Sequence, residues 1–201
     1  IIPKLIGSFK TDVVETGVFK AFQDPKQKMR PARPGVSIGH YAITAGTFGC
    51  LVKRGSDVLI LSNNHVLADI NKAQLGDAIL QPGVYDGGTP ADKIAELAEF
   101  VPIEFGAGGD GQPCGCAGLI GSLFGPKKTQ SINQPGANHV DCALAKPLSP
   151  DLVTADILQS GAPTGVGVAT LGASVQKSGR TTGYTHNSII QVEVTATVNY
   201  G

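Results

Sequence analysis

The chain has 201 residues, of which 27 are glycine and 13 proline, so about a fifth of its positions punctuate regular structure and long helices are not expected. Charged residues make up only 16%, and 16 basic side chains balance 16 acidic ones, which argues against a nucleic-acid or polyanion binder with its concentrated basic face. A hydrophobic content of 41% suffices for a core and excludes wholesale disorder, while no apolar run approaches the ~18 residues of a membrane span.

In chain order, residues 1–9 are cut by Pro3, Lys4 and Gly7, so neither a signal peptide nor a membrane anchor is expected there. The chain should be soluble, in a compartment the sequence leaves open. Residues 12–22 are weakly strand-like, with Val13, Val14, Val18, Phe19 and Phe22 among polar neighbours. Lys20, Lys26, Lys28, Arg30 and Arg33 then alternate with Pro25, Pro31 and Pro34, which predicts a solvated, mobile connector. Residues 1–35 are accordingly read as an N-terminal extension.

From Val36 onward, short apolar runs at 38–45, 47–52, 58–62, 77–80, 94–103 and 140–144 are bounded by Gly, Asn and Asp, the pattern of an all-β barrel or sandwich. Lys53-Arg54-Gly55-Ser56-Asp57 between two of them reads as a hairpin. Ile94, Leu97, Ala98 and Val101 also fit a helical face, but Pro102 follows directly and the neighbouring runs are strands, so a strand is predicted. Residues 105–135 form a long insertion of low aliphatic content, expected to be functional or mobile. Residues 146–150 look like a linker, with the strand pattern resuming at Val166. Ile190, Val192, Val194, Ala196, Val198 and Tyr200 alternate with polar residues, which predicts a final strand with one face buried and an unpaired edge.

Four cysteines are too few for a disulfide scaffold. Cys50 and Cys142 lie in apolar runs, where a free cysteine behaves as a small buried hydrophobe. Cys114 and Cys116 lie in a glycine-rich loop. With His139 they form a weak metal-site candidate that lacks the Cys-x₂-Cys spacing of structural zinc, so no metal and no cofactor is expected.

Two stretches carry chemistry. In Leu59-Ile60-Leu61-Ser62-Asn63-Asn64-His65-Val66-Leu67 a strand runs into two turn-forming asparagines and presents a histidine at its mouth. Such a position fixes an imidazole while keeping one ring nitrogen reachable, as a general base requires. Locally, a histidine that merely ends a strand fits equally well. In Asn138-His139-Val140-Asp141-Cys142-Ala143-Leu144-Ala145 a carboxylate opens an apolar run, where burial is costly unless it is paired, and a neutral histidine N–H is a suitable partner. A turn or cap aspartate is the plainer reading of the same residue.

Together, residues 49–67 and 140–144 resemble the trypsin-like serine peptidases, most closely bacterial members with an Asn-Asn-His-Val motif such as the Deg/HtrA type. The resemblance implies a double β-barrel, with His65 as general base and Asp141 as the carboxylate that orients it. It also implies that Val175-Gln176-Lys177-Ser178-Gly179-Arg180-Thr181-Thr182-Gly183 opens the second barrel. On this reading 36–145 is a complete first barrel, and 146–201 is a linker followed by a truncated second one.

The family's nucleophile motif, Gly-Asp-Ser-Gly or Gly-Asn-Ser-Gly, occurs nowhere in the 201 residues. Ser178 precedes the expected hairpin and lacks a glycine-bounded oxyanion loop, so it is not the expected nucleophile. Gly111-Gln112-Pro113-Cys114-Gly115 is similar to the nucleophile loop of viral cysteine relatives but lies before Asp141, in the wrong order. The chain therefore reads as a fragment of a serine endopeptidase acting on peptide or protein substrates, inactive alone, with its nucleophile beyond residue 201 and its missing C-terminal segment as a partner. The alternative is a non-catalytic trypsin-fold module that binds peptide or protein. Neither nucleic acid nor membrane is an expected partner.

Overall fold

A computed structural model describes residues 5–6, 9–10, 23–43, 45–105, 138–196 and 198. The predicted strand at 12–22, the glycine-rich insertion with Cys114 and Cys116, and Tyr200 at the end of the predicted last strand lie outside the described residues. Two short strands, β1 (Leu5–Ile6) and β2 (Phe9–Lys10), pair with each other. The main sheet comprises β3 (Ser37–His40), β4 (Gly46–Thr47), β5 (Cys50–Arg54), β6 (Asp57–Ser62), β7 (Ala78–Leu80), β8 (Lys93–Phe100) and β9 (Ala143–Pro147). A one-turn helix, α1 (Asn64–Leu67), follows β6, and a separate hairpin joins β10 (Ser174–Gly179) to β11 (Gly183–Ser188). Among the described residues the regular structure is thus mostly strand with little helix, as an all-β chain should be.

The seven strands run antiparallel in the order β4-β3-β7-β8-β9-β6-β5 and curl into a half-barrel. Its two outer strands, β4 and β5, are consecutive stretches of one segment bent at Phe48 and Gly49. The Phe48 N–H donates to Val36 O on one side and the Gly49 N–H to Leu61 O on the other. Gly55 permits the β5–β6 turn by taking a φ of +61° in a two-residue loop. Inside the curl, Ile38, Phe48, Ile60, Leu67, Ile79, Ile94, Ala95 and Ala145 are fully buried, the larger of these side chains each contributing about 1.5–3 kcal/mol relative to exposure.

The ambiguous segment around Ile94 is strand. Its pairing with β9 shifts register between Leu97 and Glu99, so the extra residue Ala98 moves the inward phase from Ala95 and Leu97 to Phe100. A bulge of this kind imitates helical spacing in a strand sequence.

Several expectations are corrected. Residues 23–35 are not a solvated connector. Pro25, Ala32 and Pro34 are buried, Ser37 N–H donates to Pro25 O, and the buried Gln81 amide binds Met29 N–H and Gln27 O. The prolines shape this strap to the sheet, and its charges point outward or meet distant partners, as Lys28 does with Asp92 and Arg33 with Asp156. Lys146 and Pro147 belong to β9 instead of a linker, and the chain beyond packs back, with Val153 bridging Ala32. No strand resumes at Val166, which is fully exposed with Val168. Nor do the described residues of the predicted final strand form one: residues 189–196 and 198 are irregular, with Ile190 83% exposed. Alternation gives a segment a stable strand only where a neighbouring strand and an apolar surface meet it, and the described residues supply neither.

Candidate active site

His65 is placed from both sides of its strand end. Ser62, the last residue of β6, donates its hydroxyl to Thr47 O at 2.8 Å, and Asn63 turns the chain in an extended conformation into α1. Val66 and Leu67 then sink into the core and hold the turn down. The floor beneath it is Gly46, where a Cβ would stand 2.3 and 2.7 Å from the γ carbons of Val66. Gly46→Ala is therefore expected to cost about 1–3 kcal/mol by overpacking. The pair Gly46→Ala, Val66→Ala should cost less than the sum of its singles in denaturant unfolding; strict additivity would mean that α1 does not rest on Gly46.

The histidine thus lies on a helical turn and not at the mouth of the strand itself. A single turn leaves its first N–H groups without helical partners, and Asp141 takes them. Asp141 lies two residues before β9, and its Oδ1 accepts from Asn64 N–H at 2.7 Å and from His65 N–H at 3.4 Å. Its Oδ2 lies 2.5 Å from His65 Nδ1. Asn63 Nδ2 donates to the Asp141 carbonyl at 3.0 Å, so both asparagines of the motif fasten the aspartate instead of only making a turn. An ionised carboxylate only accepts, so the facing Nδ1 carries a proton and the ring's lone pair lies at Nε2, on the side away from Asp141. The imidazole is 42% exposed and the carboxylate 19%. The structure therefore brings together the two residues singled out by sequence, 76 positions apart, in the arrangement a general base and its orienting acid require.

A second polar tie was not anticipated. Buried Asn64 donates from Nδ2 to Asn71 Oδ1 and Val101 O, and accepts from Asn71 N–H. Asn71, in the left-handed region at φ +68°, donates to Ile103 O and accepts from Ile103 N–H. This closed network pins the chain on either side of His65 to the end of β8.

Sequence inspection also passed over a second His–Asp pair. His40 Nε2 lies 3.0 Å from Asp77 Oδ2, while His40 Nδ1 accepts from Ala42 N–H. Here both ring nitrogens are engaged and the ring is buried, so the pair fastens β3 to the start of β7. The Gln74 N–H, and next His40, hold the Asp77 carboxyl below its usual range.

A third feature is the ion pair of Arg180 with Asp86, two bonds of 2.6 Å with side chains 13% and 4% exposed. Ser37 Oγ donates to the same carboxylate at 2.6 Å, and Tyr85 lies under the guanidinium at 5.0 Å. Arg180 raised no signal of its own in the motif at 175–183, and nothing local marks Asp86 as its partner.

Of the remaining candidates, Ser178 lies on β10 with its buried Oγ packed beside Gly35 and Leu158. His139 is exposed. Among the described residues no group of three His, Cys, Asp or Glu side chains could hold a metal. Cys50 and Cys142 are free and only half-buried, and burial pushes the Cys50 thiol up, away from reactivity. Comparison of the chain with protein-family models and with curated protein sequences finds no match.

Proposed function

We propose that the chain is the base-and-acid part of a trypsin-like serine endopeptidase, with the curled sheet as its first barrel and the β10–β11 hairpin opening the second. The observation that carries the reading is the 2.5 Å approach of His65 Nδ1 to Asp141 Oδ2, with the other carboxylate oxygen held by two backbone N–H groups of the turn that carries His65. The nucleophile is a serine following residue 201, in keeping with the His, Asp, Ser order of the family the sequence resembles. Its Oγ attacks the scissile carbonyl of a peptide or protein substrate as His65 Nε2 takes the hydroxyl proton. Asp141 stabilises the imidazolium, which then protonates the leaving amine as the acyl-enzyme forms, and water, deprotonated by His65, releases the acid. No cofactor is needed for these steps.

A fluorophosphonate probe applied to the full-length gene product tests this. The expected result is labelling of one serine, abolished by His65→Ala. An unlabelled protein, or labelling indifferent to His65→Ala, would leave the non-catalytic peptide-binding module in its place.

A further inference from the structure

The hairpin β10–β11 pairs only with itself among the described residues, and most of its side chains are exposed. It is held at its turn end. There Arg180 reaches two directly opposed residues of the main sheet, Ser37 and Thr47, which face each other across β3 and β4. It reaches Ser37 through Asp86, whose carboxylate takes the Ser37 hydroxyl, and it reaches Thr47 directly, its own N–H donating to Thr47 Oγ1 at 3.0 Å. Ser178 of β10 packs beside Gly35, two residues before β3, so the turn end is seated over the end of β3 and β4.

Thr47 is also where His65 is supported. Its carbonyl accepts the Ser62 hydroxyl at the end of β6, immediately before the asparagine that leads into α1. Its neighbour Gly46 is the floor under Val66, the residue after His65. One short strand thus bears the hairpin on one atom and the histidine's turn on others.

We infer that Arg180 is a positioning residue for the His65–Asp141 pair: by clamping the hairpin turn onto Asp86 and Thr47 it fixes β4, and through Ser62 and Gly46 the turn that carries His65. The inference rests on the reading of that pair as catalytic, and it gives the hairpin motif a task that is not merely to pack. Because the guanidinium grips a carboxylate with two parallel bonds, it sets orientation as well as distance.

The test reads geometry without needing turnover. In the chain labelled with ¹⁵N-histidine, solvent exchange of the His65 Nδ1 proton is followed by NMR, with the His40 Nε2 proton beside Asp77 as internal reference for the fold. Arg180→Ala and Thr47→Val should each speed exchange at His65 by about tenfold, the coupling expected within one hydrogen-bond network, and leave His40 unchanged. Thr47→Val removes only the acceptor of the Arg180 N–H and keeps the ion pair, so it decides the matter even if Arg180→Ala fails to fold. An unaltered His65 proton in Thr47→Val, or His65 and His40 loosening together in that variant, would overturn the inference. A full-length protein that shows the His65 response yet takes no fluorophosphonate would support the coupling and refute the catalytic reading alone.

Discussion

Asp141→Asn is expected, on the proposed peptidase reading, to lower kcat of the full-length gene product about 10⁴-fold while leaving the fold intact. The direction follows from which atoms face what. Oδ1 accepts from two backbone N–H groups, so an amide at this position must keep its oxygen there and turn its NH₂ toward His65 Nδ1. An NH₂ only donates. Nδ1 would then have to accept, the imidazole proton would move to Nε2, and the nitrogen meant to receive the serine proton would already be occupied. Because the backbone bonds survive, unfolding should change little, which separates this variant from one that loses activity by losing structure. Rates within about tenfold of wild type would mean that Asp141 only caps α1 and that His65 does not act as a base.

Asp86→Ala is expected to destabilise the protein by about 3–5 kcal/mol at neutral pH, the cost of breaking a buried ion pair from one side. The Arg180 side chain, 13% exposed in the intact pair, would lose the carboxylate that matches its charge, and Ser37 Oγ would lose its acceptor. The effect carries a pH signature. Arg180 in the first place, then Ser37, holds the Asp86 carboxyl below its usual range. Asp77 and Asp92 are lowered too, the first chiefly by Gln74 N–H and the second chiefly by Lys28. A carboxyl whose folded value is depressed contributes stability that is present above its unfolded value, about 4, and lost as pH falls through the folded one. Wild-type unfolding midpoints should therefore fall on acidification below about pH 4, and the penalty of Asp86→Ala should shrink over the same window. A penalty under about 1 kcal/mol at pH 7, typical of surface pairs, would show that the pair is solvated and no clamp.

Much of the strand content was legible along the chain, because runs of four to eight apolar residues between Gly, Asn and Asp have few other uses. At Ile94 the periodicity misled, since Ala98 is the extra residue of a bulge and only the register with β9 exposes it as such. At Ile190 alternation promised a strand, but a strand is a property of at least two segments, and this one meets no partner among the described residues. The charged, proline-rich 23–35 looked solvated because its partners lie far away in sequence: its backbone meets Gln81 and Leu152, and its charged side chains meet Asp92 and Asp156.

The candidate site divides in the same way. By itself the sequence indicated an all-β chain, a histidine just past a strand and an aspartate at the mouth of an apolar run, because burial and turn chemistry act on near neighbours. The same local rule, however, describes Asp77 as well as Asp141, since each opens a strand run. Only the tertiary structure shows how their settings differ: Asp77 faces a buried His40, and Asp141 faces a histidine that is 42% exposed. It alone also decided that the motif asparagines fasten Asp141, and that Arg180 meets Asp86 across 94 residues. Ion pairs and hydrogen bonds are set by angles and distances of a few ångströms, and sequence separation carries no information about them until the sheet has curled.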